Sequence, residues 1–173
     1  MKQELIDKYN VSVPRYTSYP PANFFRPFTG EEFLKEVDYS NEVREKNLSF
    51  YFHMPFCRRL CHYCGCNSYP MAKEERIEAY VQALHKEIDL VAKHIDKSRR
   101  ISQIHYGGGS PTAMPVSVLK ELNEHLLSLF STIEQPEIAI ECHPGYLTAK
   151  DWQGLLDARF NRFSLGVQDF NEE

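Results

Sequence analysis

Apolar positions along this chain change period several times, and the changes outline a repeating strand-then-helix order. LSFYFH (48–53) is a short, aromatic-rich apolar run suited to a strand. Beyond it, Ile77, Tyr80, Val81, Leu84, Ile88 and Val91 recur at helical spacing. ISQIHY (101–106) reads as a second strand and runs into Gly107-Gly108-Gly109. Val116, Leu119, Leu122, Leu126 and Leu129 mark a second helix, with Pro115 suited to its first turn. EIAIEC (137–142) is a third strand, ending at His143-Pro144-Gly145. Thr148-x-x-Asp151 caps a third helix with Trp152, Leu155 and Leu156 on its apolar side. RFSLGV (162–167) is a fourth strand, ending at Gln168. This alternation predicts an α/β fold with a parallel sheet and right-handed crossovers.

Ahead of the first strand the pattern differs. Residues 11–30 are rich in proline and aromatics, and prolines at 14, 20, 21 and 27 forbid a continuous helix. A capping box, Thr29-x-x-Glu32, then opens a helix expected to run to about Arg44. Two regions follow from this: a leader with its helix over 1–47, and the βα array over 48–173. The chain stops just after the fourth strand, where a parallel sheet would be left with an uncovered edge. That predicts a fragment of a longer protein.

Composition narrows the compartment and the partners. The 173 residues are 42% hydrophobic and carry a net charge of −4, which gives no electrostatic case for nucleic acid or an anionic membrane. No apolar run approaches the roughly 20 residues of a membrane span. Met1-Lys2-Gln3-Glu4-Leu5 is polar where a signal peptide would be apolar, so the expected location is cytoplasmic. Thiols stay reduced there, and four of the five cysteines fall between positions 57 and 66. Such clustering reads as metal or cluster ligation. Cys142, at the end of an apolar run, reads as a small buried hydrophobe.

In parallel α/β sheets the site lies beyond the carboxyl ends of the strands. The cysteines follow strand one, the glycines strand two, Glu141 ends strand three and Gln168 ends strand four. The cysteine text, His53-Met54-Pro55-Phe56-Cys57-Arg58-Arg59-Leu60-Cys61-His62-Tyr63-Cys64-Gly65-Cys66, has the spacing C-x3-C-x2-C-x-C. Zinc or a redox dithiol is one reading, although structural zinc usually pairs two separated C-x2-C elements. A [4Fe–4S] cluster is the other, since short loops of thiolates hold such clusters. Three cysteine ligands would leave one iron open for a substrate or cofactor to chelate.

C-x3-C-x2-C with an aromatic at Tyr63 resembles the radical S-adenosylmethionine (SAM) superfamily. The likeness extends through VPRYTSYPPA (13–22), YFHMPFC (51–57), the C-x-C of Cys64 and Cys66, YGGGSPT (106–112) and GVQDF (166–170). Together these are similar to the oxygen-independent coproporphyrinogen III oxidase family, also called coproporphyrinogen dehydrogenases, over nearly the whole chain. A related haem-chaperone branch shares the cysteines and glycines but typically lacks the PRYTSYP leader and the fourth cysteine.

The resemblance implies the first part of an incomplete (βα)6 partial barrel. It implies that Cys57, Cys61 and Cys64 hold a [4Fe–4S] cluster, while Cys66 is characteristic without being a ligand. The SAM methionine group would chelate the open iron, with Gly108, Gly109 and Ser110 around its amino group, Tyr63 beside the adenine, and Tyr51, Glu141 and Gln168 as further contacts. Two SAM molecules are implied. Read without the family, the glycines are equally a tight strand-to-helix connection, Glu141 a solvated or paired carboxylate, and Tyr51 a core residue. His143 stands where an acidic residue is expected. Arg15, Tyr16 and Tyr19 are candidates for the substrate propionates, or else a strap packed on the barrel.

The implied activity is oxidative decarboxylation of two propionates of coproporphyrinogen III to vinyls, giving protoporphyrinogen IX in haem biosynthesis. It needs an electron donor for the cluster and an external electron acceptor, and a monomer is expected at full length. The alternative is haem binding without decarboxylation, as in the chaperone branch. The chain as it stands is expected not to turn over.

Overall fold

The computed structural model describes residues 3–10, 21–42 and 47–167. The chain divides into two compact units, Met1–Phe33 and Leu34–Glu173. The first contains helix α1 (Gln3–Tyr9) and a 3-10 turn at Ala22–Phe24. It also contains the start of helix α2 (Gly30–Ser40). The expected capping box forms: Thr29 N–H donates to Glu32 Oε2 at 2.9 Å, and Glu32 N–H donates to Thr29 Oγ1 at 3.1 Å. The Thr29 backbone bond, then the Arg26 guanidinium, holds the Glu32 carboxyl down to about 2. A lowered carboxyl contributes above its unfolded value and loses that contribution as pH falls through the folded one. In an NMR titration the Glu32 carboxyl is therefore expected to ionise near pH 2, well below the ordinary glutamate value.

Helix α2 ends at Ser40, short of the expected Arg44, which lies outside the described residues. Ser40 Oγ donates back to the Val37 carbonyl at 2.6 Å. Asn41 is drawn off by the His94 carbonyl and the Asp96 N–H. Such side chains offer the backbone an alternative to helix.

In the second unit the elements run β1 (Asn47–Met54), β2 (Phe56–Cys57), β3 (Tyr69–Pro70), α3 (Glu74–Ala92), β4 (Arg100–Gly108), α4 (Val116–Leu129), β5 (Thr132–Cys142), α5 (Ala149–Asp157) and β6 (Arg162–Leu165). The main sheet has the order β1-β4-β5-β6 with every neighbouring pair parallel, as the alternation predicted. Strand β5 begins five residues earlier than expected, at Thr132 rather than Glu137. Its register against β4 slips between Ile101 and Gln103, just where Pro136 removes a donor. Asn161 compensates, its amide donating to the Pro136 carbonyl and its Oδ1 accepting the Ile138 N–H. Strand β6 closes at Leu165 instead of Val167.

One set of alternate strand positions is buried: Phe52 and Met54 from β1, Ile104 and Tyr106 from β4, Ile138 and Ile140 from β5. These join Leu84 and Ile88 of α3, Leu119, Leu122 and Leu126 of α4, and Leu155 of α5 in one cluster. Cys142 belongs to it too, as its apolar context predicted. Leu156 does not: it is exposed, while Trp152 packs edge-on against Phe163. Within the core, the fully buried Tyr106 hydroxyl donates to Asn123 Oδ1 at 2.9 Å, and Asn123 Nδ2 donates to the Ala158 carbonyl at 2.9 Å. Tyr106→Phe strands that Oδ1 without its donor and is expected to cost about 1–3 kcal/mol in urea unfolding.

The opposite set of positions is polar. Ser49, Gln103, Glu137 and Arg162 form a hydrogen-bonded row across all four strands, with links of 2.9, 2.7 and 2.8 Å. Nearer the carboxyl ends, the same face presents Tyr51, His53, His105 and Glu141. Among the described residues, no helix is long and apolar enough to cross a membrane.

Candidate active site

The cysteine loop is closed at its base by a two-stranded parallel pairing of β2 with β3. Tyr69 N–H donates to the Pro55 carbonyl at 2.7 Å and Met71 N–H to the Cys57 carbonyl at 2.9 Å. Tyr80 of α3 anchors the approach, its hydroxyl donating to the His53 carbonyl at 2.6 Å and its ring edge-on to Phe56. These ties hold residues 57–69 as a loop standing off the end of β1. Arg58 reaches out of it to lie 4.7 Å over the ring of Tyr146, which stacks on His143 at 3.8 Å in the β5–α5 connection. His143, whose role the sequence left open, therefore backs a contact between two loops at one sheet edge.

Within the loop Cys57 is buried, whereas Cys61, Cys64 and Cys66 are exposed. Burial, then the charge of Cys64, pushes the Cys57 thiol up, and Cys61 adds to this while the Ser68 hydroxyl opposes it. Cys64 moves the other way: the adjacent Cys66 backbone, then the Ser68 hydroxyl 3.8 Å from its sulfur and the Cys66 side chain, favour its thiolate and lower it. Cys66, next to the Cys64 thiolate, is pushed up. In a metal-free chain near neutral pH, an alkylating agent is expected to modify Cys64 first. Cys142, buried and pushed up to about 11, is expected to react last, as peptide mass spectrometry would show.

These thiols suit a cluster. Cys57, Cys61 and Cys64 are close enough for the charge on one to oppose ionisation of another, and iron would relieve that opposition if it bound them as thiolates. Among the described residues, no three His, Cys, Asp or Glu side chains are gathered tightly enough for a single metal ion. A [4Fe–4S] cube spreads its ligands more widely than one ion does.

The glycines sit directly beneath the loop. Gly109 N–H donates to the Met54 carbonyl at 2.8 Å and Ser110 N–H to the Phe56 carbonyl at 3.1 Å, joining the end of β4 to the cysteine loop. A Cβ on Gly109 would fall 2.7 Å from the Pro55 carbonyl oxygen and 2.9 Å from Cys57 Sγ. Gly108 has φ +117° and packs against the His53 ring. The connection is thus tight in its own right, one of the two readings the sequence allowed.

Tyr51 is exposed on the polar sheet face, so its ring is not in the core. Its hydroxyl lies 3.2 Å from His53 Nδ1, and His53 Nε2 lies 2.8 Å from the Asn67 carbonyl. The carbonyl can only accept, so Nε2 carries the proton and Tyr51 donates to Nδ1. Burial, then the Glu141 charge, then Cys66 pushes the Tyr51 phenol up, which places it within electrostatic reach of both β5 and the loop. Glu141 flanks Gly107 opposite Tyr51: a Cβ there would meet Glu141 Oε1 and the Tyr51 ring, each at 3.0 Å. Tyr63 is 85% exposed at the loop tip. Gln168, Arg15, Tyr16 and Tyr19 lie outside the described residues.

Sequence reasoning weighed His53, with His62, only as a possible zinc ligand beside the cysteines, and passed over His105. Period-two alternation places both on the same face as Tyr51, and that signal could have found them.

A parallel α/β sheet with a C-x3-C-x2-C loop beyond its first strand, beside a glycine turn, defines a cluster-binding class, and the chain belongs to the radical SAM superfamily, whose family model matches residues 51–173. Among named relatives it is most usefully set beside the oxygen-independent coproporphyrinogen III oxidases. That of Escherichia coli K12 is 41% identical over 170 residues, covering 98% of this chain and 36% of the relative. That of Synechocystis is 37% identical over 171 residues, covering 98% and 36%. The solved coproporphyrinogen III oxidase of Escherichia coli, described as a radical SAM enzyme, superposes with a TM-score of 0.83 at 36% identity, covering 98% of this chain and 37% of that one. The chain therefore spans a little over a third of the length of the relatives it matches.

Proposed function

We propose that this chain forms part of an oxygen-independent coproporphyrinogen III oxidase of haem biosynthesis. The observation that carries the reading is that 98% of the chain, leader included, aligns with oxidases of that name at 37–41% identity. Bound together, a [4Fe–4S] cluster and SAM supply a carbon radical able to take a hydrogen atom from an unactivated C–H bond. Cys57, Cys61 and Cys64 hold the cluster as thiolates. The Gly108 and Gly109 backbone and the Ser110 hydroxyl face the methionine group of SAM, Tyr63 lies beside the adenine, and Tyr51, Glu141 and Gln168 complete the contacts. In this reading two SAM molecules share the site.

Arg15, with Tyr16 and Tyr19, receives substrate propionates through its planar fork. Each of two propionates loses one hydrogen atom from its β-carbon, then carbon dioxide and one electron, leaving a vinyl. An electron donor serves the cluster and an external acceptor takes the released electron. The reading places the protein in the reducing cytoplasm, where exposed thiols such as Cys61 and Cys64 survive.

The test is anaerobic reconstitution of the gene product containing this chain, with SAM, a reductant, an electron acceptor and coproporphyrinogen III. Carbon dioxide, 5′-deoxyadenosine and a divinyl product are expected. Haem binding with no carbon dioxide released would assign it instead to the chaperone branch.

A further inference from the structure

Between the two candidate SAM contacts Tyr51, on β1, and Glu141, on β5, stands a residue that neither motif nor family reading used. His105, on β4, occupies the strand between them and is paired in register with Tyr51. Its Nε2 lies 3.3 Å from Glu141 Oε1, and facing a carboxylate that nitrogen is the donor. Its ring is nearly parallel to that of Tyr51, at 16° with centroids 5.8 Å apart. Both His105 and Glu141 are partly open to the polar face, with side-chain exposures of 31% and 46%.

The consequences for each neighbour differ. Glu141 has one carboxylate oxygen occupied by His105, which fixes the side chain's rotamer and leaves Oε2 to accept from a ligand. Tyr51 is held from two sides, its ring backed by His105 and its hydroxyl committed to His53. Gly107, two residues on along β4, keeps the space between Tyr51 and Glu141 clear of a side chain. One strand thus supplies both the spacer and the brace for groups on the strands either side.

We propose that His105 is a positioning residue for SAM, orienting Glu141 through its Nε2–H and Tyr51 through its ring. This rests on the radical SAM reading of the site. It involves no contact between His105 and the ligand itself.

The test compares His105→Phe, which keeps a ring against Tyr51 but cannot donate, with His105→Gln, which keeps an N–H for Glu141. Each is made alone and with Glu141→Gln, in protein reconstituted with its cluster. Radiolabelled SAM binding is measured by equilibrium dialysis, with iron content and thermal unfolding followed alongside. His105→Phe is expected to weaken SAM binding about tenfold with iron content and unfolding unchanged. His105→Gln, which keeps the N–H but gives up the ring, is expected to lose less affinity than His105→Phe, and His105→Phe, which keeps the ring, to add nothing further once Glu141 is Gln. An unchanged affinity in His105→Phe overturns the proposal. So does an equal additional loss in the Glu141→Gln background, or a loss that follows iron content or unfolding. If the unsubstituted protein takes up its cluster but binds no SAM, the reading of this face as a SAM site falls and the positioning role falls with it.

Discussion

Alanine at Cys57, Cys61 or Cys64 is expected to abolish the broad absorbance near 400 nm (roughly, for thiolate–iron charge transfer) after anaerobic reconstitution, whereas Cys66→Ala keeps it. The difference follows from where the sulfurs stand. Cys57 is buried at the base of the loop, fixed by the β2–β3 pairing, and removing it takes away the one ligand whose position the fold dictates. Cys61 and Cys64 are carried on the exposed arc above it. Cys66 lies beside Cys64 and favours its thiolate, so its loss removes support for a proposed ligand rather than a ligand. The expected cost of Cys66→Ala is a faster loss of iron in air, measured with a chelator. Iron content equal to that of the unsubstituted protein in Cys61→Ala would show that Cys66 substitutes for it, and the three-ligand assignment would fail.

The second large effect is expected from a single added methyl group. Gly109→Ala would put its Cβ 2.7 Å from the Pro55 carbonyl oxygen, 2.8 Å from the carbonyl carbon and 2.9 Å from Cys57 Sγ. Two of these atoms are backbone in a strand connection and cannot step aside cheaply. The Gly109 N–H bond to Met54 and the Ser110 N–H bond to Phe56 must lengthen if they do. Destabilisation of about 1–3 kcal/mol is expected, as for overpacking elsewhere. Iron uptake should fall too, because the displaced group is a proposed cluster ligand. Gly65→Ala is the control: a Cβ there meets nothing within 4 Å, so both stability and iron uptake should be unchanged. Equal behaviour of the two variants in urea unfolding and iron analysis would refute the close-approach account of the glycine turn.

Much of this arrangement was legible from period alone. Burial follows the apolar spacing of Val81, Leu84 and Ile88 in α3 and of Leu119, Leu122 and Leu126 in α4, and the parallel sheet follows from the alternation of elements. The convergence of cysteines, glycines and Glu141 on one edge was legible for the same reason, since carboxyl ends of parallel strands share an edge. What escaped were features set by single tertiary contacts. Strand β5 runs back to Thr132 past Pro136, and Asn161, far along the chain, takes the Pro136 carbonyl and the Ile138 N–H on either side of that break. Helix α2 stops at Ser40 because Asn41 is claimed by His94 and Asp96. The two-residue strands β2 and β3 are too short to leave a period, though they decide where Cys57 sits. Leu156 has the right spacing for the apolar side of α5 yet is exposed, because Leu155 takes the buried position.

Everything proposed for the site depends on three cysteines holding a cluster with one iron left open for SAM. Electron paramagnetic resonance of the reduced, reconstituted protein tests this most directly, with spectra taken before and after SAM is added. About four irons and four sulfides per chain are expected, with a change in the spectrum of the reduced cluster when SAM chelates the open iron. A cluster signal left unaltered by saturating SAM, or a full cluster that requires Cys66, would contradict it.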